Sequence, residues 1–329
     1  MSRVLADNGH RVTLWTRNPA QAEEINRTRV NGKFLPGAVL PQGIEATSEM
    51  SEALADAEAV LFVAPSAAMR DVARLAARSI HKDALVIHAT KGFETGTLKR
   101  MSVVLAEELG RSDRSIVVLS GPSHAEEVVL QHPTTTVVAA KEIACAEAAQ
   151  DLFMNHSYFR VYTNPDVVGV ETAGAIKNII ALGAGLSDGL GFGDNAKAAL
   201  ITRGLAEIAR LGEAMGANPF TFAGLAGVGD LIGTCTSRHS RNWRAGSMLA
   251  QGMPLPEVLE RMGMVVEGVR TTQAAHVLAR QYEVEMPITD QLYAVLFEGL
   301  SPDKAVGALM GRVRTHEIEE VASLPPIED

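Results

Sequence analysis

Cysteine is nearly absent. Cys145 and Cys235 are the two in 329 residues, too few for a disulfide framework and without a zinc-ligand spacing. Both read as small, partly or fully buried residues of a chain working in a reducing compartment, the cytoplasm. Positive charge is also scarce: 30 Lys and Arg against 39 Asp and Glu leave a net charge of −9. That excludes the broad basic face of a nucleic-acid binder. An acidic chain still holds phosphates where isolated cations or helix starts are placed for it. Long unbroken apolar runs are missing too. The longest candidate, residues 167–190, is interrupted by Glu171, Lys177 and Asp188, so no membrane span is expected. The first residues lack the apolar core of a signal peptide. No fixed-period repeat or low-complexity stretch is present.

What is there alternates. Strand-like runs occur at 11–15, 59–64, 84–89, 115–120, 134–140 and 159–163, most of them continuously apolar. Such runs fit strands buried on both faces of a parallel sheet. Helical stretches are expected between them at 19–29, 69–79, 97–109 and 142–153. After "YTNPD" (162–166) the strands stop, and Ala-, Gly- and Leu-rich helices follow, the first two at 168–188 and 194–215. The expected fold is α/β: a doubly wound dinucleotide-binding domain over residues 1–164, followed by an all-helical substrate domain over 165–329.

One absence is specific to that fold. A dinucleotide-binding domain carries a G-x-G-x-x-G loop between its first strand and first helix. The chain opens "MSRVLADNGHRVTLW", a helix tail stopped at Asn8-Gly9 and then a strand. This places the opening at the end of the first helix, with the first strand and its glycine loop expected before Met1. The later runs "GLGFGD" (189–194) and "GVGDLIG" (227–233) follow no strand and lack the spacing, so neither replaces the loop.

Several residues carry chemistry. Arg17 follows the first recognisable strand, where a basic residue suits the 2′-phosphate of NADP and an acid would suit NAD; its alternative is a solvated turn arginine. Lys91, in "HATKGFE" (88–94), leaves an apolar strand end, and is either a ligand contact or an exposed loop lysine. In "LSGPSHAEE" (119–127), Ser123 with Glu126 reads as a capping box, or as a turn presenting N–H groups to an anion. Lys177 lies among Ile176, Ile179 and Ile180 in a small-residue helix. It either snorkels from the helix edge or is buried, with a depressed pKa suited to proton donation. Asn178 adds a neutral hydrogen-bonding partner. Asp230 is a helix cap or a partner for a cation. Ser240, Arg241 and Asn242 either cap the next helix or form a phosphate cradle. Glu267 sits on a turn and is otherwise a solvated carboxylate.

The stretches "NGHRVTLWTRNP", "FLPG", "ATKGFE", "SGPSHAEE", "GAIKNIIALGAGLSDGLGFGDNAKAALITRGLAEI", "GLAGVGDLIGTCTSRHSRN" and "VVEGVRT" resemble the bacterial-type NAD(P)-dependent glycerol-3-phosphate dehydrogenases from about Val4 to Glu317. The resemblance implies reversible reduction of dihydroxyacetone phosphate to sn-glycerol 3-phosphate, feeding phospholipid synthesis. It implies NADP or NAD as cofactor, with NADP favoured, a small phosphate substrate and a homodimer. Lys177 falls on the family's catalytic lysine. Lys91, Gly121, Ser123, Asp230, Ser240, Arg241 and Asn242 fall on substrate positions. Arg17, Lys91, Ala125, Arg241, Val265 and Glu267 fall on cofactor positions. No metal is implied. The competing reading is a truncated, catalytically impaired form that serves only as a binding module.

Overall fold

The computed structural model describes residues 1–314 and residue 317. The described residues fold as two compact units, residues 1–90 with 101–167 and residues 91–100 with those from 168 onward.

The first unit runs α1 (Ser2–Asp7), β1 (Val12–Trp15), α2 (Pro19–Thr28), β2 (Val30–Asn31), β3 (Leu35–Val39), β4 (Ile44–Thr47), α3 (Met50–Leu54), β5 (Ala59–Phe62) and α4 (Met69–Ala76). It continues through β6 (Leu85–His88), α5 (Met101–Leu109), β7 (Val117–Ser120), α6 (Ala125–Val129), β8 (Thr134–Ala139), α7 (Ile143–Phe153) and β9 (Phe159–Asn164). Its strands form a parallel β1–β4 pair, an antiparallel β2–β3 pair and a five-stranded sheet in the order β5-β6-β7-β8-β9. Among the described strands, none pairs with the second edge of β1 or of β5.

Alternation along β6 and β7 explains why apolar runs are needed here. Val86 and Ile116 pack with Phe62, Met69, Met101 and Leu105 on one face. Ile87, Val117 and Leu119 pack with Val4, Phe153 and Phe159 on the other. A sheet covered on both faces cannot alternate apolar with polar residues.

Three expectations are corrected. The five-stranded sheet is not wholly parallel, because β8 runs antiparallel to β7. The five-residue α6 between them is too short for a parallel crossover. Ser123 forms no capping box: His124 is the N-cap of α6 and makes no side-chain cap, while the Ser123 hydroxyl donates to the Gly121 carbonyl at 3.1 Å. The helix expected from residue 97 begins at Met101, because Gly96 (φ +96°) and Leu98 (φ +61°) hold the preceding residues in a left-handed turn. The short β2, β3, β4 and α3 were not expected at all. Among the described strands only β1 pairs with β4, and α2 covers its other edge. Asn26 bonds both the amide and the carbonyl of Ala46, and Arg29 donates to the Ile44 carbonyl at 2.7 Å. These side chains satisfy polar groups that a further strand would otherwise take.

The second unit is helical: α8 (Val167–Gly189), α9 (Asp194–Ala214), α10 (Asp230–Thr236), α11 (Arg241–Ala250), α12 (Leu255–Met262), α13 (Glu267–Gln281), α14 (Pro287–Phe297) and α15 (Pro302–Met310). α8 is the one described helix long and apolar enough to cross a membrane, and 94% of that stretch is buried inside the protein; it is the core helix of its unit. α8 and α11 touch backbone to backbone. A Cβ on Gly185 would lie 1.9 Å from the Trp243 carbonyl oxygen, and one on Gly246 would lie 2.0 Å from the Leu182 carbonyl oxygen.

Gly246→Val is therefore expected to destabilise at or beyond the upper end of the ~1–3 kcal/mol typical of overpacking. Gly307, inside α15 with nothing near its absent Cβ, gives the opposite sign: Gly307→Ala stabilises by about 0.5–1 kcal/mol. Urea unfolding midpoints of the two variants check both.

Candidate active site

The second unit assembles its chemistry around Asp230. A single π-turn over Leu225–Gly229 leads into α10, and Gly227 breaks helical geometry inside it. A side chain there would meet the Phe222 carbonyl oxygen at 2.0 Å, so only glycine lets the turn close. The turn delivers Asp230 as the first residue of α10, 2% exposed.

Two lysines share that carboxylate. Lys177, 5% exposed on α8, donates to Oδ1 at 2.6 Å. Lys91 donates to Oδ2 at 2.6 Å. Thr234, one helical turn beyond Asp230, accepts from Lys177 Nζ at 2.6 Å and donates to the Asp230 carbonyl at 2.6 Å. Lys177 is thus buried, not snorkelling.

Burial pushes the Lys177 ammonium down to about 8, with Asp230 opposing and the nearby Lys91 charge adding to the shift. Burial alone would raise Asp230, but the two ammonium groups hold it below the usual carboxylate range. Cys235, buried beside them, is pushed up to about 12 by the same desolvation and stays an inert thiol.

A second cluster adjoins the first through Asn178. Ser240 caps α11 by accepting from the Trp243 amide at 3.2 Å. Arg241, exposed at the first position of α11, donates to the Val265 carbonyl at 3.0 Å. Asn242 is buried; its Nδ2 donates to Asn178 Oδ1 at 2.9 Å, and its Oδ1 accepts from the Gly268 amide at 2.8 Å. Glu267 begins α13 beside Gly268. Lys91, Lys177 and Asp230 are therefore brought together directly, and Ser240, Arg241, Asn242, Val265 and Glu267 gather around the starts of α11 and α13.

The remaining predicted residues lie in the first unit. Arg17 is exposed in the turn after β1, where Asn18 caps α2 by accepting from the Ala20 amide. Gly121 follows β7 with φ +113°, and a Cβ there would lie 3.1 Å from Thr136 Cα. Ser123 and the exposed Ala125 follow it. Thr234 is the site residue that sequence reasoning missed. Its signal was the i, i+4 spacing from Asp230, which puts both on one helix face.

The family model described as the NAD-dependent glycerol-3-phosphate dehydrogenase N-terminus matches residues 1–146, and its C-terminal counterpart matches residues 166–307. The chain belongs to the NAD-dependent glycerol-3-phosphate dehydrogenase family. It is 61% identical over 325 residues to glycerol-3-phosphate dehydrogenase [NAD(P)+] of Bacillus mycoides, covering 98% of this chain and 95% of that one. The enzyme of the same name from Geobacillus thermodenitrificans is 57% identical, with coverage of 98% and 94%. The crystal structure of glycerol-3-phosphate dehydrogenase from Coxiella burnetii matches with a TM-score of 0.89 at 37% identity, covering 94% of each chain.

The site yields a test that needs no substrate. Asp230→Asn leaves two ammonium groups without their shared counterion. Losing the attraction that raises Lys177 drives its pKa further below 8. The folded state then binds fewer protons than the unfolded chain, whose lysine titrates near 10.5, so the variant's stability rises with pH in that window. Unfolding in urea is expected to show a loss of about 3–5 kcal/mol near pH 6 that shrinks toward pH 10.

Proposed function

We propose that this chain catalyses the reversible, NAD(P)H-dependent reduction of dihydroxyacetone phosphate to sn-glycerol 3-phosphate. The observation that carries this reading is the buried Lys177 ammonium, held by Asp230 and Thr234 and shifted to about 8. Similarity along nearly the full length of named relatives supports an enzyme over a module that only binds.

The residues present fit a nicotinamide dinucleotide. Arg17 stands exposed at the carboxyl end of β1, where a cation suits a 2′-phosphate and favours NADP over NAD. The Gly121 turn allows close backbone approach, with Ala125 exposed just beyond it. Val265 and Glu267, at the start of α13 beside Arg241, complete the proposed cofactor set. When bound, the nicotinamide supplies a hydride to the carbonyl carbon of the substrate.

This chain's residues handle the charge. As the carbonyl carbon gains its C–H bond, the oxygen takes the electron pair of the C=O π-bond. Lys177 Nζ donates a hydrogen bond to that oxygen and then its proton, leaving an alcohol and a neutral amine. Asp230 and Thr234 hold Nζ in place, so little reorganisation is needed during reaction. Lys91 supplies a second positive charge beside the substrate oxygens. Arg241, Ser240 and Asn242 at the start of α11 anchor the phosphate, with Gly121 and Ser123 as further substrate contacts. Binding at the phosphate thereby orients the reacting carbon. The domain roles follow: residues 1–164 for the dinucleotide and 165–329 for substrate and catalysis. A homodimer in the cytoplasm fits the family resemblance and the two free thiols.

Steady-state kinetics of NADPH oxidation separate the roles. Lys177→Ala is expected to lower kcat by about 10²–10⁴-fold, and Arg241→Ala to raise KM with kcat within a few-fold of the parent. Reduction requires protonated Lys177, so its rate should fall as pH rises through about 8. Near-normal turnover by Lys177→Ala would overturn the mechanism.

A further inference from the structure

The ten residues Lys91–Arg100 belong to the second unit, although the chain on either side of them belongs to the first. They form a lobe closed on itself. Phe93 and Arg100 make an antiparallel bridge. The Glu94 amide donates to the Lys99 carbonyl, and the Leu98 amide to the Glu94 carbonyl, each at 2.9 Å. The Thr97 hydroxyl bonds the Glu94 carboxylate. Phe93 is buried at the base. Leu98 sits at φ +61°, a conformation that persists only where surrounding contacts impose it.

The entry and exit of this lobe each carry a partly buried cationic contact. Lys91 reaches Asp230, and Arg100 Nη1 reaches Glu171 Oε2 at 2.5 Å. The Arg100 and Glu171 side chains are 13% and 4% exposed. A buried pair of this kind gives little net stability after desolvation, and its best-attested use is to fix one arrangement over others. Glu171 stands on α8, the helix that carries Lys177. One rigid element therefore holds both the central lysine and the acceptor that fixes the lobe.

We propose that Arg100 and Glu171 are a positioning pair that sets Lys91 against Asp230 by pinning the exit of the 91–100 lobe to α8. The pair acts through Lys91; the proposal rests on the reading above, in which Lys91 and Lys177 serve the substrate. Asp230 and Lys91 are the charged groups that act on Lys177, and the buried Cys235 thiol, which Lys177 in turn draws down, lies beside them. Displacing Lys91 leaves Asp230 wholly to Lys177 and removes a repelling charge, and both changes raise the Lys177 pKa.

The test is a double-mutant cycle on the full chain with NADPH and dihydroxyacetone phosphate. Glu171→Gln is expected to lower kcat/KM about tenfold and to move the alkaline limb of the pH profile upward. In a Lys91→Met background the same substitution should change kcat/KM by less than about twofold and leave the limb where it is. An equal loss with and without Lys91 overturns the proposal, since a purely structural pair behaves that way. Unchanged kcat/KM in Lys91→Met alone would instead sink the role given to Lys91. If Glu171→Gln fails to fold, Arg100→Lys, which keeps the charge and loses the planar fork, takes its place in the same cycle, with the same two outcomes decisive.

Discussion

Asp230 is the constraint on which the second unit's chemistry depends. A carboxylate 2% exposed cannot remain ionised there without cations, and a buried ammonium cannot remain protonated there without an anion. Two lysines on one carboxylate leave the cluster with a net positive charge. In a chain whose total is −9, that local excess suits the anionic substrate proposed for it, because field depends on local charge and low-dielectric walls, not on the total. The π-turn before α10, the non-helical Gly227 and the i, i+4 Thr234 all serve to hold this one carboxylate in place.

The second cluster is tied to the first by packing as much as by hydrogen bonds. Gly185 and Gly246 let α8 and α11 meet at their backbones. At that separation Asn178 and Asn242 bond directly, and Asn242 goes on to the Gly268 amide at the start of α13. A neutral relay of amides thus links the residue after Lys177 to the residue after Glu267. Buried amides suit this place, because each is satisfied by the next and none adds charge beside the lysine.

Much of this was legible in the sequence, for reasons that can be named. The runs at 84–89, 115–120 and 134–140 read as strands because strands covered on both faces are mostly apolar, with His88, Ser120 and Thr136 among the buried polar exceptions. Lys177 stood out because an ammonium among isoleucines needs a partner, and Asp230 is one. The partnership itself was not legible: 53 residues separate the two, and no local pattern encodes the turn that joins them. β4 was missed because four residues containing Glu45 show no clear period, and its edge is completed by Asn26 and Arg29 from a helix. The Ser123 capping box failed for a local reason. The helix begins one residue later than the motif requires, and the hydroxyl turns back to Gly121.

The choice of cation at each point follows from what burial does to it. A guanidinium stays charged in nearly any setting, whereas an ammonium loses its proton readily once desolvated. Arg241 and Arg17 are exposed, and in the phosphate-binding roles proposed for them permanent charge is what is needed and a shiftable pKa would add nothing. Lys177 is buried and shifted to about 8, where it is protonated at neutral pH yet able to release a proton to an oxygen that has gained an electron pair. An arginine at 177 would keep its proton through the proposed step; a lysine at 241 would lack the fork that can grip a phosphate in two places. The distribution of Lys and Arg between the core of the site and its rim is itself an argument for proton donation at one and anion binding at the other.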